Sequence, residues 1–270
     1  LKSDYFDKQV PTEAAQVNMQ AMLLESEKQA NDIRSRLDAG EDFSGLAAQL
    51  SVDSYTKTNS GNVDWHPQDV LLGLLGSSVP GDYAFRYPPG TLSEPKYDAD
   101  ASKQIGYWLI KVNNKTGSEQ ADISAMLLGS KDEADTVRAR LVANEDFSAL
   151  AKEFSQLSGA ADNGGNLGTI APNTTTPAVD EFVFNPDTTD GVLSEPISDS
   201  SVTTKGGYWL IKVLDNASTR QITDQDRDLL KEQYLNNWAA SLFLSPNYKV
   251  QNFMDSNKIV WAVQRITKTS

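Results

Sequence analysis

Apolar residues recur at helical spacing in two stretches that mirror each other. Ala30, Ile33 and Leu37 form one such face, and Ala134, Val137 and Leu141 form the other. Spacings of three and four predict a helix with one buried side. Each stretch opens on a capping-box pattern, Ser26-Glu27-Lys28-Gln29 and Ser130-Lys131-Asp132-Glu133. Each ends where Gly40 or Asn144 stands, the two residue types that best tolerate a left-handed helix terminus. A second short helix follows, with Phe43, Leu46, Ala47 and Leu50 apolar in one case and Phe147, Leu150, Ala151 and Phe154 in the other. The run Met22 to Leu24 reads as a short strand. Gly61-Asn62 and Gly165-Asn166 read as turns, and Leu-Ser-Glu-Pro at 92–95 and 193–196 as a bend leading to a sheet edge. A last strand, rich in aromatic and β-branched residues, closes the pattern. The order β, α, α, turn, helix or loop, β, β predicts an α+β unit with a small antiparallel sheet.

That last strand is Gly106-Tyr107-Trp108-Leu109-Ile110-Lys111-Val112, and it returns unchanged as Gly207-Tyr208-Trp209-Leu210-Ile211-Lys212-Val213. The unit is therefore duplicated. Ala21-Met22-Leu23-Leu24 matches Ala125-Met126-Leu127-Leu128, 104 positions on, whereas Leu92 matches Leu193, 101 positions on. The first copy thus carries three extra residues between Asn62 and Leu92. About 100 residues can bury a core, so two separate domains are expected rather than a solenoid. Asn113 to Gln120 reads as the linker between them, and Asn216-Ala217-Ser218 as the close of the second. A further helix is expected from Thr223, with Leu229, Leu230, Tyr234, Leu235, Trp238 and Leu242 apolar and Ser245-Pro246-Asn247 as its stop. The tail from Val250 to Ile266 is apolar enough to need a packing partner.

Composition narrows the chemistry. Among 270 residues, 24 basic against 37 acidic side chains give a net charge of -13, which disfavours nucleic acid as a partner. With no cysteine and a single histidine, His66, thiolate catalysis, disulfides and any histidine-pair mechanism are excluded. No apolar run reaches the roughly 18 residues of a membrane span. The acidic residues show no metal-ligand spacing, so neither a metal nor another cofactor is expected. Leu1 is not a natural start, which suggests a fragment whose signal peptide or anchor lay upstream.

The ordered landmarks resemble the parvulin (PpiC-type) peptidyl-prolyl isomerases. In the first copy these are Gly40-Glu41-Asp42-Phe43, Leu46-Ala47, Ser51-Val52-Asp53, Phe85, Gly90 and Ser93-Glu94-Pro95. In the second they are Phe147, Leu150-Ala151, Gly164-Gly165-Asn166-Leu167-Gly168, Phe184, Gly191 and Ser194-Glu195-Pro196. The resemblance implies two tandem parvulin-like domains at 17–114 and 121–214, each a small antiparallel sheet surrounded by helices, with a C-terminal helical segment at 223–270. Tandem units ending in a Trp-containing helix resemble extracytoplasmic foldase chaperones. Residues 1–16 would then be the run-in from a missing N-terminal helical domain. Implied partners are that domain and unfolded or proline-containing polypeptide. The implied location is extracytoplasmic: secreted, periplasmic or anchored by a removed segment.

In that family two histidines and an Asp or Cys form the catalytic network. The first histidine position holds Ala21 and Ala125 here, and the second holds Trp108 and Trp209. Neither Ala nor Trp can both donate and accept a proton as imidazole does. Asp53 occupies the acidic position of the first copy, as catalytic candidate or as turn residue, and Leu157 replaces it in the second. Ala21, Phe85, Trp108, Ala125, Phe184 and Trp209 are the groove candidates by family position. The two tryptophans either line a remodelled peptide groove or fill the space the imidazoles left. The reading is a foldase chaperone that binds extended polypeptide, with isomerase activity weak or lost. The alternatives are an active isomerase with a non-standard site and a non-catalytic scaffold of an envelope assembly.

Overall fold

The helix signals act as the sequence predicts. A computed structural model of the chain describes residues 5–116 and 119–244. In it the Ser26 hydroxyl accepts from Gln29 N at 3.1 Å, and Gln29 Oε1 accepts from Glu25 N at 2.9 Å. Ser130 and Glu133 repeat the arrangement at the second start. Gly40 (φ 92°) and Asn144 (φ 67°) both take the left-handed conformation past the helix ends.

Residues 13–222 form one compact unit, described first. The first copy runs β1 (Glu13–Leu24), α1 (Glu27–Asp38), α2 (Phe43–Leu50), α3 (Ser54–Thr58), β2 (Asn62–His66), α4 (Gln68–Leu75), α5 (Val79–Arg86), β3 (Lys96–Lys103) and β4 (Gly106–Thr116). The second runs β5 (Gln120–Leu128), α6 (Lys131–Val142), α7 (Phe147–Phe154), α8 (Ala160–Asn163), β6 (Asn166–Ile170), α9 (Pro177–Val183), β7 (Ile197–Asp199) and β8 (Thr204–Gln221).

The two four-stranded antiparallel sheets are ordered β2-β1-β8-β3 and β6-β5-β4-β7. Each copy's final strand therefore closes the other copy's sheet. Leu23 of β1 faces Trp209 of β8, and Leu127 of β5 faces Trp108 of β4. The second sheet is built from the continuous stretch 106–199, nested between the two segments that make the first. The stretch 113–120 is expected to link two domains; its residues up to Thr116 instead end β4, and Gln120 opens β5 directly opposite Thr116. Asn216-Ala217-Ser218, expected to close the second unit, lies inside β8, because β8 continues alongside the early part of β1.

Each sheet buries both faces, alternating with the two-residue strand period. In the first sheet Val17, Met19, Ala21, Leu23, Trp209, Ile211 and Val213 pack with Leu71, Leu75 and Ala84 of α4 and α5. Met22, Leu24 and Leu210 face Ala30, Ile33, Phe43 and Leu46 of α1 and α2. The second sheet repeats this, with Trp108, Ile110 and Ala125 against Val179 and Val183 of α9, and Leu109, Met126 and Leu128 against α6 and α7.

Among the described residues, the other unit combines 5–12 with 223–244. Its long helix α10 (Asp224–Leu244) begins where the sequence predicts. Phe6, in a 3₁₀ turn at Phe6–Lys8, meets Trp238 edge-on with ring centres 6.2 Å apart. Lys231 pairs with Asp7 at 2.7 Å. The expected helix stop at 245–247 and the apolar tail at 250–266 lie outside the described residues.

Candidate functional site

Strand exchange decides which candidate residues meet. Ala21 and Phe85 of the first copy pack in one cluster with Trp209 of the second. Ala125 and Phe184 of the second copy pack with Trp108 of the first. Both alanines have no exposed surface, and Trp209 and Trp108 are only 1% and 5% exposed. The indoles thus lie in the core beneath α4–α5 and α9, and the two phenylalanines are half-buried.

A buried indole N–H needs an acceptor. Trp209 Nε1 donates to Asp98 Oδ2 at 3.1 Å, and Trp108 Nε1 to Asp199 Oδ2 at 3.0 Å. Both carboxylates are buried and satisfied from several sides. Asp98 also accepts from the Ser77 hydroxyl at 2.5 Å and from Asp100 N and Ala101 N. Asp199 accepts from Ser201 N at 2.8 Å and the Ser201 hydroxyl at 2.6 Å. Burial alone would raise the Asp199 carboxyl, but hydrogen bonds to it, led by that of the Ser201 hydroxyl, outweigh burial and hold it below its ordinary range. Sequence reading did not single out Asp98 and Asp199. The signal was present, since they match at the 101-residue offset, in a chain whose buried tryptophans required acceptors.

The backbone around these positions is held by the family landmarks. Gly61 O and Gly165 O accept from Ala21 N at 2.9 Å and Ala125 N at 2.8 Å. Both glycines have φ 77°. The Ser93 hydroxyl accepts from Ile211 N and the Ser194 hydroxyl from Ile110 N, both at 2.9 Å. Arg34 and Arg138 each donate through Nε to the carbonyl of the same serine at 3.0 Å. The Ser-Glu-Pro bend is thus a clamp along the outer edge of the exchanged strand.

Asp53 is an N-cap. Its carboxylate accepts from Thr56 N at 2.7 Å and from the Thr56 hydroxyl at 2.8 Å, and Thr56 meets the Ser51 hydroxyl at 2.7 Å. Leu157 takes the place in the second copy and packs against its core. His66 lies on β2 opposite Val17. Among the described residues no group of three metal-ligating side chains converges, and no helix is long and apolar enough to cross a membrane.

A cavity of about 530 Å³ opens beside the strand crossing, lined among others by Ser26, Tyr97, Lys103, Ser130, Gln156 and Tyr208. Lys103 is 1% exposed and donates to Gly129 O at 2.5 Å. Burial pulls its ammonium below the ordinary lysine range, while Glu25 and Glu133 oppose that shift. The folded state then holds fewer protons than the unfolded chain at pH values just below the ordinary lysine pKa of about 10.4. The Lys103 contribution to stability therefore rises with pH across that window, while the Tyr107 phenol, raised by burial and by Glu25, contributes in the opposite sense. Urea midpoints measured in both proteins at stepped pH values up to about 10 should rise with pH in the native chain relative to Lys103→Met. Parallel slopes in the two proteins would place the effect elsewhere.

Comparison with known proteins places two family models on the chain. Residues 10–116 and residues 109–215 each match a PPIC-type PPIASE domain. A Chaperone SurA of Hahella chejuensis is 27% identical over 240 residues, covering 81% of this chain and 51% of that protein. Another, of Pseudomonas syringae pv. syringae, is 29% identical over 215 residues, covering 74% and 46%. The chain spans about half the length of the curated relatives it matches. Among solved structures, a peptidylprolyl isomerase (PrsA) from Bacillus anthracis aligns over 84% of this chain and 92% of its own, at 15% identity and a TM-score of 0.26.

Proposed function

From the premise that this chain belongs to the PPIC-type peptidyl-prolyl isomerase family, with two such domains in tandem, we propose that it is a foldase chaperone. It binds unfolded or extended, proline-containing polypeptide, and its prolyl isomerase activity is weak or absent. It works outside the cytoplasm as part of a longer protein with an N-terminal helical domain, to which the unit containing α10 belongs.

One observation carries the reading: all four positions that hold histidine in the family hold buried Ala or Trp. Prolyl isomerisation must overcome part of an amide barrier of about 18–20 kcal/mol. Stabilising a twisted amide takes polar groups aimed at the reacting bond. Here each indole N–H is committed to a buried carboxylate. Asp53, the remaining acid, spends its carboxylate on capping α3. The match to chaperones supports a holding role for a frame that lacks the family's catalytic groups.

Two measurements on the same preparation test this. Protease-free cis/trans exchange of a Xaa-Pro peptide should run at the buffer rate. Aggregation of a chemically unfolded client should be suppressed at stoichiometric protein. Acceleration of about a hundredfold, the lower end of what a positioned acid or base supplies, would overturn the first half. Undiminished aggregation would overturn the second.

A further inference from the structure

The two final strands are identical over seven residues, so each sheet could equally be closed by its own copy. Such a retained closure keeps the Trp–Asp bond, the serine clamp and every core contact of the heptapeptide. Something outside the heptapeptide must choose the exchanged form. We propose that Ile105, Gly206 and the facing positions Asp122 and Asp215 direct each final strand to the other copy's sheet.

The residue just before the heptapeptide differs between copies. In the slot between β1 and β3 that residue is Gly206, held at φ 82°. In the slot between β5 and β7 it is Ile105, which is not among the residues with positive φ. β4 could not enter the first slot along the path β8 takes, because Ile105 would need Gly206's left-handed conformation, which a β-branched residue rarely adopts. The move would also withdraw Ile105 from the part of its present cluster that stays behind, Met126 and Leu128 of β5 with the α6 and α7 side chains.

Charge gives the second bias. Both sheets share one register, bulge included: Asn18 faces Asp215 in one, and Asp122 faces Asn114 in the other. In the retained form Asn18 would face Asn114, and Asp122 would face Asp215. Two carboxylates directly opposite on neighbouring strands repel. The exchanged form gives each carboxylate an amide to face.

Two further contacts fix the crossing. Within the second copy, Gln156 brackets the Lys205 backbone at the start of β8, through Nε2 to O at 3.0 Å and N to Oε1 at 2.7 Å. The Thr204 hydroxyl donates to Ile105 O at 2.5 Å.

The chain has no cysteine, which permits a clean competition. Gln20 is the Cα partner of Lys212 in the exchanged form and would face Lys111 in the retained one. Facing residues lie within disulfide reach. In the triple variant Gln20→Cys, Lys111→Cys, Lys212→Cys, mild oxidation and peptide mapping should find position 20 bridged to 212 rather than to 111. The expected excess is about fivefold to a hundredfold, as a strained left-handed residue would impose. Adding Ile105→Gly and Asp122→Asn should move the ratio toward 111 by at least about fivefold. Equal bridging before those changes, a ratio they leave unmoved, or an interchain dimer would each overturn the proposal. Should that set fail to fold, Ser124→Cys with Lys111→Cys and Lys212→Cys reads the same choice in the second sheet, where Ser124 faces Lys111 in the exchanged form and would face Lys212 in the retained one.

Discussion

Trp209→Ala is expected to cost about 3–5 kcal/mol of stability, the range for emptying a buried aromatic site. The indole is 1% exposed, enclosed by Ala21, Leu23 and the helices α4 and α5. Its loss also removes one donor from Asp98, a buried carboxylate left with Ser77 and two backbone amides. Leaving a buried acceptor short adds to the penalty. Trp209→Phe fills most of the volume and should cost less. Equilibrium urea unfolding gives the size of the effect, and a loss below about 1 kcal/mol would contradict the packing described. Hydrogen exchange gives its location. Although Trp209 belongs to the second copy in sequence, protection should fall first along β1 and β3. Loss confined to β5 and β7 would mean that β8 does not close the first sheet.

Gly165→Val is the second large effect. A Cβ at Gly165 would stand 2.5 Å from Ala125 O and 3.0 Å from Ala151 Cβ, and φ is 77°. The carbonyl is backbone inside a central strand and cannot yield as a flexible side chain would. Left-handed strain costs about 1–3 kcal/mol on its own, and the clash brings the expected total to about 3–5 kcal/mol. Gly40 is the control. It has φ 92° but nothing within 4 Å of a built Cβ, so Gly40→Ala should cost only about 1–2 kcal/mol. Similar losses at both positions would remove crowding as the cause.

Local structure was legible wherever one short segment decides it. Capping boxes, the Gly40 and Asn144 termini and the apolar faces of α1 and α6 depend on residues a few positions apart. The heptapeptide identified the final strand and the duplication for the same reason. Its partner was not legible, because two identical strands carry no information about which sheet each joins. That information sits in Ile105 and Gly206, one residue outside the repeat, and in Asp122 and Asp215, which gain meaning only once the register is known. The linker reading of 113–120 failed on similar grounds. A polar Asn-Lys-Thr-Gly run suits a domain linker and a hairpin turn equally, and only the pairing of Thr116 with Gln120 separates them. At the candidate site, the missing histidines were plain from the motif. The buried carboxylates that receive the indoles were not, since an aspartate three residues past a Pro bend reads as a surface turn until its burial is seen.

The nesting of one sheet inside the other also sets an order of events at the ribosome. The first sheet has β1, β2 and β3 once residue 103 is made, but its closing strand starts at residue 204. At about 5–20 residues per second, the intervening hundred residues take about 5–20 s. Throughout that interval the nascent chain presents an open edge, and the nearest matching strand is its own β4. A chain made from the N-terminus would fall into the wrong closure first unless that closure were disfavoured locally. Ile105 is translated immediately before β4, so the residue that guards the slot is in place before the competitor for it exists.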